Sequence, residues 1–188
     1  ASIWLIPTLN EHARNLPFYV QEVGRTIAGE KYYVGRKNLD SFEIACILSG
    51  GIDFTYNGQS FTSNKDTVVW LDCRYPHTFR SEAQSKAVDC YFVHFWGDGA
   101  IRYHEFFKSI CPAGLVNFKS TERIIRYLKR LISIYSTDSH TPLKEVAACT
   151  YLSNICLGMI ENVQPKSDAE PSEPIRNIKK YLDTNYTE

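Results

Sequence analysis

Apolar and polar positions change rhythm once along this chain. From about residue 16 to 118 the sequence reads as a series of short strands. Phe18 to Val23 and Tyr32 to Arg36 are strand-like and are separated by a Gly-containing connection. Phe42 to Leu48 is a mostly apolar run that ends at Ser49-Gly50-Gly51. Ile52, Phe54 and Tyr56 then alternate with Asp53 and Thr55, the period of two expected of a half-buried strand. Asn57-Gly58 follows and supplies both positive-φ residues of a type I′ turn, so Gln59 to Thr62 is predicted to return as the second arm of a hairpin. Thr67 to Leu71, His77 to Arg80 and Ala87 to Trp96 complete the set, with a loop through Asp72-Cys73-Arg74-Tyr75-Pro76. Turn signals this frequent predict an antiparallel sandwich or barrel.

The period then becomes helical. Ile124, Ile125, Leu128, Leu131, Ile132 and Tyr135 fall on one face of a helix that Ser120 is placed to cap. A second helix has Thr141 as N-cap and Pro142 at its first position. It carries two apolar stripes, Ala148, Leu152, Ile155 and Met159 beside Val146, Cys149, Cys156 and Ile160. That arc is wider than packing against one surface requires. Residues 164–174 are polar and proline-bearing, the composition of a linker. Beyond them Ile175, Ile178, Tyr181 and Leu182 recur at helical spacing for barely three turns. The organisation expected is an arm over 1–15, a barrel over 16–118, helices over 119–163, a linker over 164–174 and the start of another domain over 175–188.

Composition narrows the partners. Lys+Arg and Asp+Glu are both 21 in 188 residues, so the chain lacks the basic field needed to grip nucleic acid alone. Twelve Tyr, ten Phe and three Trp favour pleated, half-buried surfaces and ligand cavities. The six cysteines are scattered without a C-x-x-C, which reads as buried thiols of a reducing, cytoplasmic compartment. No apolar run approaches transmembrane length, and no signal-peptide pattern opens the chain.

Enzymatic signatures are missing. There is no G-x-S-x-G elbow, no P-loop and no G-x-G-x-x-G. The five histidines are dispersed and none forms His-x-His; His77 and His94 are the pair that would have to converge for a metal shell. The expectation is therefore no enzyme, no catalytic residue, no metal and no cofactor, with a cupin-type metalloenzyme as the competing reading. What remains is an aromatic cavity. Arg36 ends one strand, Trp70 and Phe79 lie on others, and Cys90, Phe92 and His94 share one face of the last long strand, with Tyr91, Val93 and Phe95 on the other. A buried Arg36 must find an acceptor; its competing reading is a surface ion pair.

The ordered motifs resemble the N-terminal sensor domains of AraC/XylS transcription regulators. The resemblance is carried by Tyr33-Val34-Gly35-Arg36, by Phe42 through Gly51, by Asn57-Gly58-Gln59-Ser60-Phe61 and by Asp66 through His77. It extends to Tyr91-Phe92-Val93-His94-Phe95-Trp96-Gly97 and to Ile175 through Tyr186, which is similar to the opening of the family's DNA-binding domain. It implies a cupin-like jelly-roll barrel that binds a small effector, often a sugar, followed by a helix pair that forms a homodimer through residues 143–160. DNA would be bound only by a C-terminal helix-turn-helix domain, and no membrane is involved. By motif position, ligand contact falls on Arg36, Phe79, Cys90 and Phe92; with the aromatic and histidine candidates, the effector site expected is Arg36, Trp70, His77, Phe79, Cys90, Phe92 and His94. Lys65 stands where the family usually has Gly before Asp66. Phe79, Cys90 and Phe92 are less polar than the arabinose sensor's residues. The segment with Trp4 and Phe18 resembles the arm that closes over ligand.

Overall fold

The computed structural model describes residues 1–82, 87–137 and 141–163. Ten strands and four helices follow one another. They are β1 (Ile3–Leu5), α1 (Glu11–Arg14), β2 (Tyr19–Gly29), β3 (Tyr33–Arg36), β4 (Phe42–Ser49), β5 (Ile52–Tyr56), β6 (Gln59–Ser63), β7 (Thr67–Asp72), β8 (His77–Ser81) and β9 (Ala87–Trp96). After them come α2 (Asp98–Ile110), β10 (Leu115–Asn117), α3 (Glu122–Tyr135) and α4 (Pro142–Val163). The strands pair antiparallel in a six-stranded sheet, β1-β2-β9-β4-β7-β10, and a four-stranded sheet, β3-β8-β5-β6. The result is a mainly β, jelly-roll architecture followed by C-terminal helices.

The large sheet is buried on both faces, which explains its chemistry. Ala45, Ile47, Val69, Leu71, Cys90 and Phe92 face the small sheet and meet Ile52, Phe54 and Phe79 there. Ile44, Cys46, Val68, Trp70, Tyr91, Val93 and Phe95 face the other way and pack under the helices. Strands covered on both sides need apolar residues at every position, so β4 and β7 read as continuous apolar runs instead of alternating ones. The β5–β6 strands, with one face to solvent, keep the alternation.

The hairpin forms as its turn chemistry predicts. Tyr56 pairs with Gln59, and Asn57 and Gly58 take φ of 48° and 79°. At the next turn Asp66 itself takes the left-handed conformation, φ 64°, so Lys65 needs no glycine-like freedom. All six cysteines are free thiols.

Four expectations are corrected. The region 16–118 is not all strands, because Asp98–Ile110 is helical and buries Ala100, His104 and Phe107 on one face. Gly24 does not break the chain after Val23; β2 continues to Gly29, and Gly24 is where β1 and the Phe92 ring come too close for a Cβ. The α3 N-cap is Thr121 rather than Ser120, whose hydroxyl accepts only a long 3.4 Å bond from the Glu122 N–H. Thr121 Oγ1 instead donates to Asp66 Oδ1 at 3.0 Å, pinning the helix start to the β6–β7 turn. Finally, α4 is by length and composition apolar enough to cross a membrane. Its Ala148, Leu152, Ile155, Cys156 and Met159 are nonetheless buried under the large sheet, as in a core helix. Thr141 does stand before Pro142, where its hydroxyl accepts from the Lys144 N–H at 3.4 Å. His140, the linker over 164–174 and the segment 175–188 lie outside the described residues.

Candidate functional site

Three neighbouring strands of the large sheet carry the polar floor of a cavity between the sheets. Glu22 on β2 pairs with His94 on β9, and His94 pairs with Glu43 on β4, so two carboxylates flank one imidazole on the same face. A register shift between Val20 and Glu22 is what turns Glu22 into this row. Arg36 reaches in from β3 of the opposite sheet and places Nη1 2.7 Å from His94 Nε2, with Nη2 3.9 Å from Glu22 Oε1.

The network assigns the protons. An arginine can only donate, so His94 Nε2 accepts and Nδ1 carries the hydrogen, which points to Ser41 Oγ at 3.1 Å; Ser41 in turn donates to the Phe42 carbonyl. Burial, with help from the Arg36 charge, holds the His94 pKa down to about 3. The 3.5 Å approach of Glu43 Oε2 to His94 Nε2 is therefore not an ion pair at neutral pH. Burial pushes the Glu43 carboxyl up to about 7 against the pull of Arg36, and raises Glu22 likewise against Arg36 and the Trp4 indole. Arg36 thus donates to a buried acceptor, and its contact with Glu22 lies within the cavity and not at the surface.

The rest of the lining is apolar or aromatic: Val34, Ala45, Ile52, Phe79, Cys90 and Phe92, with Thr26, Tyr32 and Trp4 at the edge. Trp4 sits on β1, opposite Gly24, and meets Phe92 edge-on at 5.3 Å while the Arg36 guanidinium lies 5.9 Å from its ring. With Trp4 in this place the free space is about 20 Å³, room for about one water.

Of the expected site residues, Arg36, Phe79, Cys90, Phe92 and His94 converge on this cavity. Trp70 does not. It lies on the opposite face of the large sheet, stacked on Phe107 of α2 at 4.8 Å, because β7 has both faces buried and its parity turns Trp70 to the helices. His77 stands beside the cavity without lining it; its Nδ1 is 2.9 Å from the Tyr75 carbonyl and its ring meets Phe79 at 6.0 Å. Glu22 and Glu43 were missed. The available signal was a lone carboxylate inside an otherwise apolar strand, Glu43 between Phe42 and Ile44.

A family model described as the AraC-like ligand binding domain matches residues 20–153, most of the chain. The chain belongs to this family. In the AraC-like domain the match runs from the start of β2 into α4, so it takes in both sheets and the cavity between them. Among curated proteins, none is significantly similar in sequence. Distant likenesses exist to the cupin domain of Schizosaccharomyces pombe Cnp3, at 19% identity over 50% of this chain and 63% of that one, TM-score 0.39. The Escherichia coli protein YhaK shares 8% identity over 52% and 45% of the two chains, TM-score 0.45. A cupin domain of an XRE family transcriptional regulator from Enterobacter cloacae shares 18% over 50% and 95%, TM-score 0.38. The AraC-like domain spans less than two thirds of the length of the first two.

Proposed function

We propose that this AraC-like domain is the effector-binding and dimerisation part of a bacterial transcription regulator, and that its effector is a small, neutral, hydroxyl-rich molecule such as a sugar. The observation that carries this reading is the polar row Glu22–His94–Glu43 under Arg36, set in an apolar and aromatic cavity. A hydroxyl both donates and accepts, so it can be held at once by Arg36 and by a flanking carboxylate. A strongly anionic effector suits the site less, because Glu22 already answers the Arg36 charge. Phe92 and Trp4 offer ring faces and edges to the apolar side of such a molecule.

Room for one water does not hold a sugar, so binding requires Trp4 and β1 to give way or re-close around the ligand. That displacement is the differential contact through which an effector would shift the population of arm arrangements. Dimerisation is proposed through 143–160, where Leu143, Val146 and Leu157 are exposed on one side of α4. Cys156, by contrast, is fully buried within its own subunit, so the second stripe is only partly available. DNA binding belongs to a separate C-terminal helix-turn-helix domain.

A thermal-shift screen of neutral sugars and metabolites, with light scattering, tests the proposal. A ligand at about a hundred times its Kd raises native stability by about 2.7 kcal/mol. A broad panel without a single hit, on a monomeric protein, would overturn it.

A further inference from the structure

Beside the effector cavity lies a second cluster, which shares Glu43 with the cavity and adds Cys73 and His77, two residues the proposed function does not use. Glu43 on β4, Cys73 just past β7 and His77 at the start of β8 each bring one donor atom within 4.8 Å of the others. All three are buried, at 7%, 0% and 1% exposure. We propose that Glu43, Cys73 and His77 form a binding site for one divalent transition-metal ion of the zinc class.

His77 carries the argument. Its Nδ1 lies 2.9 Å from the Tyr75 carbonyl, so that nitrogen holds the hydrogen and Nε2 keeps its lone pair. Nε2 is buried and has no hydrogen-bond partner among the described residues. A buried acceptor left bare is costly, and imidazoles that ligate metals characteristically anchor their other nitrogen to a carbonyl or carboxylate. His94 is excluded as a ligand because Arg36 and Ser41 engage both of its nitrogens.

The other two donors are positioned as well. The Cys73 N–H donates to the Ser41 carbonyl at 2.9 Å and its own carbonyl accepts from Leu39 N–H at 3.2 Å, which fixes the loop from which Sγ reaches Glu43 Oε2 at 4.0 Å. A set of one sulfur, one imidazole nitrogen and one carboxylate oxygen selects zinc and its neighbours over magnesium or calcium. Three protein ligands leave a fourth position for water or another donor. On binding, the Cys73 S–H proton, and the Glu43 carboxyl proton where Glu43 holds one, pass to bulk water, and the thiolate and the carboxylate bond the metal. The Glu22, Glu43 and Cys73 negative charges then balance Arg36 and the divalent ion. Because Glu43 also lines the effector cavity, the metal would set which of its oxygens an effector meets. The site itself does not depend on the effector reading.

Cobalt(II) and zinc(II) titrations of the chelator-treated 188-residue chain test this. One equivalent of cobalt should bind with a thiolate-to-cobalt charge-transfer band in the near ultraviolet and a tetrahedral visible spectrum, and zinc should displace it. Cys73→Ala should abolish the charge-transfer band, and His77→Ala should weaken zinc by roughly a hundredfold or more. Cys111→Ala, at a partly exposed thiol elsewhere, should change neither. If Cys73→Ala does not fold by circular dichroism, Glu43→Gln and His77→Ala carry the same test. Substoichiometric binding, an absent charge-transfer band, or a spectrum retained in folded Cys73→Ala overturns the proposal.

Discussion

Arg36 and His94 are 58 residues apart in sequence, yet Arg36 Nη1 lies 2.7 Å from His94 Nε2 and joins the two sheets across the cavity. The contact needs a neutral imidazole with its free lone pair toward the arginine, and burial supplies that state by holding the His94 pKa near 3. Replacing Arg36 by Ala removes the one cationic donor among the described residues that line the cavity. Affinity for a neutral hydroxyl-bearing effector should fall by about 1.5–3 kcal/mol, roughly ten- to a hundredfold. Isothermal titration with a screening hit measures it; an unchanged Kd would take Arg36 out of the site.

Trp4 closes the cavity only because Gly24 lets β1 lie where it does. A Cβ at Gly24 would stand 2.2 Å from the Ile3 carbonyl oxygen and 2.8 Å from the Phe92 ring. Gly24→Val should therefore expel β1 and leave Trp4 more open to a neutral fluorescence quencher, with the buried Trp70 unaffected. Trp4 is already 52% exposed, so the readout is an increase in quenching; a Trp4 quenched no more than in the parent would show that β1 is held by something else.

Trp70 and Phe92 are two aromatics on adjacent layers with separable roles. Trp70 is fully buried beneath the helices, so Trp70→Ala should cost about 3–5 kcal/mol of stability in urea unfolding. Phe92→Ala should weaken the effector more than the fold allows for. With a screening hit in hand, Trp70→Phe should bind it with unchanged affinity at a temperature well below unfolding. Loss of binding in that variant would move the site to the helix side.

His104 gives a pH signature remote from the cavity. It packs against Phe42 and Trp70, with Asp72, Arg74 and Lys108 as the charged groups around it. Burial lowers its pKa from 6.5 to about 4. A depressed folded pKa means the unfolded chain binds the proton more readily, so the stability is present above pH 6.5 and is lost as pH falls toward 4. Wild type should lose about 1.5 kcal/mol relative to His104→Gln between pH 6.5 and pH 5. Parallel stability curves for the two proteins would contradict that.

The exposed side of α4 can be tested without touching the core. Leu143 and Leu157 are 76% and 41% exposed, so Leu143→Glu with Leu157→Glu should leave the melting temperature of the subunit nearly unchanged. If that face joins two copies, light scattering will report a monomer. A dimer that survives both charges places the interface elsewhere.

What the sequence alone determined is whatever a few adjacent residues decide. Asn57-Gly58 specifies its own hairpin through two positive-φ residues, Pro142 opens α4, and the 3.6-residue rhythm from Ile124 to Tyr135 fixes which face of α3 is buried. The alternation along β9 likewise separated Cys90, Phe92 and His94 from Tyr91, Val93 and Phe95. Tertiary structure decided everything that depends on how distant strands meet. In β7 every residue is buried, so period two cannot tell whether Trp70 or Leu71 faces the cavity; the helices packed on one side make the choice. The α2 signal was obscured because Tyr103 and Phe106, both partly exposed, interrupt the stripe of Ala100, His104 and Phe107. The polar row of Glu22, His94 and Glu43 exists only because of strand register and one bulge, and Arg36 joins it only because the second sheet folds over the first. Turn and helix preferences act within a few bonds, whereas a binding site is a meeting of side chains whose positions depend on the pairing of the whole sheet.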